Sequence, residues 1–415
     1  MKSKIQAVIS NRGASIDAIK QTLEYINSAL INLSDLKRFE DWLIEQEIVD
    51  DITKKELQNN DIEKFVERLS FEKKYWENIQ IRFARQTLNI GVVGRMGQGK
   101  STFLQSISAL TDEHIPAKSG QACTSTQSVI YHTESKEFAK VYYYNEKDFI
   151  NEVLYPYYSN LDNIKGLGKS NLPSSLSEFE KTSFKPLGDI QGLSSKKEGW
   201  YNNLLKLHSN IADYKNLISS DFEEINISKI KEFVQYTYNE KNDDIASYRY
   251  VAVKKIEIFT KFPDNNVFQL GLIDIPGLGD TRLGDEERMI RALGEDVDII
   301  LFIRKPDKDR NQWQDVDTNL YDIASSVLRE KLSLDTWSFM LINNRHGSIE
   351  DCNLLKKTIS LKGRIKTIDC LIANCKSPEE SKQALETIIT YLVTSISELD
   401  AVFIKNCRKL LYLTE

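Results

Sequence analysis

The sequence predicts an α/β fold: a mostly parallel sheet with flanking helices and a helical insertion, joined to a helical bundle drawn from both chain ends. Three observations predict it. Apolar residues recur at spacings of three and four near both termini. Between them, short β-rich runs alternate with helical segments. One such strand–helix junction contains three glycines followed by Lys-Ser.

Residues 1–86 read as helices. Ile16, Ile19, Leu23, Ile26 and Leu30 form one helical stripe, and Leu36, Phe39 and Leu43 repeat it after Ser34, a candidate N-cap. Ile62, Phe65, Leu69, Trp76, Ile79 and Phe83 suggest a longer third helix. At the far end (377–415), Ser377 and Pro378 begin a pattern through Leu385, Ile388, Leu392, Ile396, Leu399, Phe403 and Leu410. A helix of roughly 33 residues spans about 50 Å. It is expected to pack on the N-terminal helices.

Residues 87–376 form the expected sheet domain. Core strands are predicted at Leu88–Val93, Phe138–Tyr144, Val251–Phe259, Phe268–Asp274, Asp298–Ile303, Trp337–Ile342 and Thr367–Ile372. Helices are predicted at Lys100–Leu110, Glu286–Leu293, Asp315–Glu330 and around Cys352–Ser360. Residues 145–247, rich in Tyr, Asn, Lys and Ser, interrupt the alternation and read as a mostly helical insertion. Its aromatic clusters are packing residues or a surface for a protein partner.

Composition narrows the function classes. The 415 residues hold 55 Lys+Arg and 61 Asp+Glu, a net charge of −6. That opposes a protein built to coat nucleic acid, and no nucleic-acid partner is expected. No run reaches the ~18 uninterrupted apolar residues of a membrane-spanning helix. Five cysteines without a Cys-x-x-Cys pair and four scattered histidines argue for reduced thiols, a cytoplasmic setting and no structural zinc.

Gly94-Arg95-Met96-Gly97-Gln98-Gly99-Lys100-Ser101 satisfies Gly-x-x-x-x-Gly-Lys-[Ser/Thr] without a mismatch. Glycines let the backbone wrap so that successive N–H groups converge on phosphate oxygens. Lys100 adds positive charge, Ser101 offers a hydroxyl to Mg²⁺, and the helix running on through Thr102 aims its positive end at the anion. The apolar strand before the loop and the amphipathic helix after it are the required context.

A second anchor is Leu270-Gly-Leu-Ile-Asp274-Ile-Pro-Gly277-Leu-Gly-Asp280. The strand delivers Asp274 to the phosphate end of the sheet, where it can hold Mg²⁺. Gly277 can bring its N–H close to a γ-phosphate.

Together the two motifs resemble those of the dynamin-like large GTPase superfamily, with a phosphate loop closer in style to septin- and immunity-associated GTPases. The resemblance implies a P-loop GTPase domain binding GTP/GDP and Mg²⁺, a neck-like helical bundle, and a homodimer formed across the GTPase domain. It also implies a switch threonine: Thr124 stands where one would coordinate Mg²⁺ and sense the γ-phosphate, with Ser125 and Thr126 as adjacent competitors. Nucleotide state would then reposition the bundle. Peripheral attachment to a membrane is left open.

The chain departs from that family in three places. Met96 and Gly97 replace the Gln-Ser of dynamins proper. Leu278 stands where small switch GTPases place a water-orienting glutamine, so hydrolysis must recruit another group, with Arg95 a candidate charge donor. After the strand Trp337–Ile342 comes Asn343-Asn344-Arg345-His346, where the family expects [Asn/Thr]-Lys-x-Asp. Asn343 could still contact the base, and Asn374, in Ala373-Asn374-Cys375-Lys376, could supply the last base-side loop. Two other readings remain: a nucleotide-gated scaffold with little hydrolysis, and an ATP-specific P-loop NTPase. The chain is shorter than a complete dynamin, which fits a short member or a fragment.

Overall fold

The computed structural model describes residues 2–95, 97–112, 114–115, 126–190, 192–219, 221–234, 237–238, 245–264, 268–275, 285–306, 315–328, 332–345, 348–362 and 365–412. Its contacts divide the chain into a sheet unit (1–2 and 88–392) and a helical unit (3–87 and 393–415).

In chain order the strands are β1 (Leu88–Val93), β2 (Gln127–His132), β3 (Phe138–Tyr143), β4 (Phe222–Ile225), β5 (Thr237–Tyr238), β6 (Ile245–Ser247), β7 (Val253–Thr260), β8 (Leu270–Asp274), β9 (Ile299–Arg304), β10 (Ser338–Asn343) and β11 (Cys370–Ala373). Nine of them form one sheet in the order β11-β10-β9-β1-β8-β2-β7-β3-β4, and β5 pairs with β6 separately. The pairs from β11 to β8 are parallel, as is β2–β7, whereas β8–β2, β7–β3 and β3–β4 are antiparallel. The central strands β1, β8, β9 and β10 are buried at every position, as strands covered on both faces must be. Toward the antiparallel end, β3 alternates buried and half-buried residues, with the period of two of a strand covered on one face.

The structure differs from the sequence expectations in several respects. β2 lies in a stretch assigned to no element. The insertion is not wholly helical: besides its helices it contributes β4, which pairs antiparallel with β3. Its run 146–160 is interrupted by a π-helix, Ile150–Leu154. Trp337 ends a short helix, Leu334–Trp337, so the following strand starts one residue later. Among the aromatic clusters, Tyr143, Tyr144, Tyr157 and Tyr158 are all buried, which makes them packing residues. One ion pair, between Arg291 in the helix Asp285–Glu295 and Glu152 in the π-helix, ties the insertion to that helix.

In the helical unit, a single helix runs from Lys2 to Glu45, so Ser34 lies inside it and caps nothing. No proline falls in this stretch to remove a backbone donor and break the ladder. Two more helices follow, Asp51–Asn59 and Ile62–Ala84. The first of these is capped by Asp50, whose side chain accepts from the Thr53 N–H.

The C-terminal helix, Pro378–Tyr412, has 35 residues. Ser377 caps it by accepting the N–H of Glu380 at 3.3 Å. Its residues through Leu392 belong to the sheet unit and the rest to the helical unit. Within the helical unit, Asp400 accepts from Arg12 Nε at 2.7 Å and Arg12 Nη2 at 3.0 Å. Arg82 Nη2 lies 3.8 Å from the same carboxylate. The Arg82 guanidinium sits 4.9 Å from the centre of the Phe403 ring, on which Tyr75 also stacks.

Among the described residues, one helical stretch, Pro378–Lys405, is long and apolar enough to cross a membrane by length and composition. Its Leu385, Ile388, Ile389, Leu392 and Ile396 are core residues of the protein itself.

Candidate nucleotide site

The sheet order reverses around β1: β9 lies on one side of it and β8 on the other. At such a switch point the C-terminal strand ends open a crevice, and this is where α/β sheets bind ligands. Gly94–Ser101 leaves β1 at that point. The helix Lys100–Ser108 follows at once, with its N-terminal N–H groups facing the loop.

The loop's glycines are demanded by geometry. A Cβ on Gly94 would stand 2.6 Å from the carbonyl oxygen of Ile303. Gly99 has φ +110°, and a Cβ there would fall 2.3 Å from Asn343 Nδ2. Both are close approaches that only glycine permits. Lys100 is 8% exposed, and its Nζ donates to Gly94 O at 2.9 Å, bridging the two ends of the loop. Ser101 and Thr102 are half-buried in the first helical turn.

Asp274 ends β8 and pairs in parallel register with Val92 of β1 and antiparallel with Ser128 of β2. It is 1% exposed, and neither carboxylate oxygen has a hydrogen-bond partner among the described residues. Burial pushes its carboxyl up from the usual carboxylate range, while the charge of Lys100 pulls it the other way. A buried carboxylate with two unsatisfied oxygens beside a phosphate loop suits a hard divalent cation, which needs only one or two protein oxygens when phosphates and water complete its shell. Thr126, just before β2, is also buried, and its hydroxyl has no partner among the described residues. No cluster of three or more His, Cys, Asp or Glu side chains occurs among the described residues. Cys352, Cys370 and Cys375 are buried free thiols.

The asparagines expected on the base side lie at the ends of β10 and β11. Asn343 is buried and engaged through both atoms of its amide: Nδ2 donates to Gln98 O at 2.9 Å, and Oδ1 accepts from Arg345 N and Cys375 N, each at 3.2 Å. It therefore brackets the phosphate loop to the loop after β11, a role the sequence reading, which assigned it a base contact, did not name. Asn344 is half-buried and donates its N–H to Ala373 O. The Asn374 N–H donates to Glu380 Oε2, and its own Oδ1 accepts from Lys376 N.

Arg95 is ion-paired: its Nε lies 2.7 Å from Asp317 Oδ1. Gln98 Oε1 accepts the Lys305 N–H at 2.6 Å. Gly97 has φ +76°. Met96, Thr124, Ser125, Gly277, Leu278 and His346 lie outside the described residues. Sequence reasoning missed Asp317, since it sits in a helix that no motif marks.

No curated protein matches the sequence. Solved structures similar to this chain include two described as an oligomerised bacterial dynamin pair that provides a mechanism for the long-range sensing and tethering of membranes. Each is 16% identical. The first covers 94% of this chain with a TM-score of 0.44, and the second 100% with 0.43. The chain spans 55% of the length of each. Residues 90–324 match the sequence profile of the dynamin family. With that match extending over more than half of its length, the chain belongs to the dynamin family.

Proposed function

We propose that this dynamin-like GTP-binding protein hydrolyses GTP with Mg²⁺, transferring the γ-phosphoryl group to water. The observation that carries the reading is the pair of unpartnered, buried oxygens on Asp274 beside Lys100 and an intact phosphate loop. Lys100 and the loop N–H groups from Gly94 to Thr102 neutralise the phosphates. Ser101, Thr124 and Asp274 hold the metal, and the Gly277 N–H meets the γ-phosphate. Asn344 and Asn374 line the base side, behind the bracket made by Asn343. Because phosphoryl transfer is chiefly positioning and charge stabilisation, this set covers most of what the reaction needs.

What it lacks is a group to orient water, since Leu278 cannot. A second copy of the chain, pairing across the GTPase domain, is the proposed source, and turnover is coupled in this reading to the helical unit. A cytoplasmic setting follows from the same reading.

Titration calorimetry with Mg²⁺ and GTP, GDP or ATP tests binding, and steady-state turnover across protein concentration tests the rest. The expected results are GTP preferred over ATP, affinity lost in Lys100→Ala, and turnover per molecule that rises with concentration. Equal binding of nucleotide by Lys100→Ala would overturn the site. Leu278 and the absence of a carboxylate at His346 favour a second reading, a nucleotide-gated scaffold. Tight binding with no multiple turnover at any concentration would select it.

A further inference from the structure

One carboxylate outside the phosphate-loop motif is tied to the loop by two routes. Asp317, in the first turn of the helix Asp315–Leu328, has a side chain only 5% exposed. Its Oδ1 lies 2.7 Å from Arg95 Nε, and its Oδ2 lies 3.2 Å from Arg304 Nε. Arg304, the last residue of β9, carries the second route onward: its Nη1 donates to Gln98 Oε1 at 3.3 Å. That oxygen also accepts the N–H of Lys305. Gln98 closes the circuit by donating its own N–H to the carbonyl of Arg95 at 3.3 Å.

Asp317 thus sits between two guanidinium groups that reach different residues of one loop, Arg95 and Gln98. The Arg304 side chain is 3% exposed, so this is not a solvated surface pair. A buried cation and a half-buried one repel unless a carboxylate lies between them, and breaking a buried pair from one side is costly. The early position of Asp317 in its helix favours a negative charge there as well. Without that charge, Arg95 and Arg304 must separate, and each drags a loop residue with it. The N–H groups that aim at phosphate belong to that same loop.

We infer that Asp317 is a positioning residue for the phosphate loop, holding Arg95 and Gln98 so that the loop is preorganised for a nucleotide it does not itself touch. This rests on the nucleotide-binding reading above.

The test measures GTP and GDP affinity with Mg²⁺ by calorimetry, alongside thermal melting, for wild type, Asp317→Asn, Arg95→Met, their double variant and Asp317→Glu. Groups that orient the residues holding a ligand typically cost ~10–100-fold when removed, so Asp317→Asn should bind GTP at least ~10-fold more weakly. Its melting midpoint should fall as well, since breaking a buried ion pair from one side is destabilising. The double variant should be no weaker than the worse single variant, because both break the same tie. Asp317→Glu should recover part of the loss.

Asp317→Asn within ~3-fold of wild type would overturn the inference, and so would losses that add in the double variant. If Asp317→Asn melts far below wild type, the charge-balanced Asp317→Asn/Arg304→Gln carries the test: the same loss is expected, and wild-type affinity would refute it. A wild-type protein that binds neither nucleotide sinks the nucleotide reading itself. Binding by wild type with an unaffected Asp317→Asn sinks only this inference.

Discussion

Replacing Asp400 with alanine removes the carboxylate that lies between two buried arginines of the helical unit. Arg12 contacts it at 2.7 Å and Arg82 at 3.8 Å, and all three side chains are 8% exposed or less. With an effective dielectric constant near 20, pairs at these separations attract by roughly 6 and 4 kcal/mol before desolvation is counted. Desolvation cancels much of this, and breaking a buried pair from one side costs about 3–5 kcal/mol. The loss expected lies in that range, about 3–5 kcal/mol.

Urea denaturation is the assay, with hydrogen exchange resolved to residues 3–87 to isolate the helical unit. For slopes of about 1–3 kcal/mol per molar urea, the transition of this unit should move down by more than ~1 M. The compensated variant Arg12→Met/Arg82→Met/Asp400→Leu should recover most of the loss, since apolar residues of similar volume replace buried ions at little cost. A loss below ~1 kcal/mol in Asp400→Ala, or a compensated variant as weak as the single one, would refute the reasoning.

Other predictions concern the sheet unit. Gly99→Ala places a side chain at positive φ, costing about 1–2 kcal/mol, and drives its Cβ into Asn343 Nδ2. Calorimetry should show at least a tenfold loss of GTP affinity, each tenfold corresponding to about 1.4 kcal/mol. Asn343→Ala strands Gln98 O and Cys375 N, each at a cost of about 1–3 kcal/mol, so both thermal stability and nucleotide affinity should fall.

His132 gives a pH dependence. Its Nδ1 accepts from Phe262 N, which leaves Nε2 protonated, buried and without a partner among the described residues. Burial lowers its affinity for a second proton; Glu134 opposes that effect and Lys2 adds to it. The unfolded chain therefore binds the proton more readily. The stability contribution is complete above the ordinary histidine value of 6.5 and is lost as pH falls toward the lower folded value. Denaturation midpoints at pH 7.5 and 5.5 should differ more for wild type than for His132→Gln.

Much of the candidate site was legible because its chemistry is local in the chain. A phosphate loop needs glycines, a lysine and a hydroxyl within eight consecutive residues, and Asp274 must end the strand that pairs with β1. The same locality made β1, β8, β9 and β10 readable as continuous apolar runs. β4 escaped because its pattern, Phe-Glu-Glu-Ile, is mostly exposed, and only pairing with β3 makes it a strand. Ser34 misled for a related reason. Cap chemistry is present in the residue, but whether the chain breaks there depends on packing along the whole helix.

The sequence by itself determined the α/β class, the position of the glycine-rich loop, the carboxylate at the end of β8 and the helical character of both ends. Residues a few positions apart meet through the geometry of a turn, a strand or a helix, and periodicity records that. The tertiary structure alone decided that Arg12 meets Asp400 across 388 residues, that Asn343 brackets the loop, and that Asp317 holds Arg95 and Arg304. Charges that pair across such separations leave no spacing to read. Their partners are selected when the sheet and the bundle close, because a buried charge must then find its counter-charge or pay for leaving water.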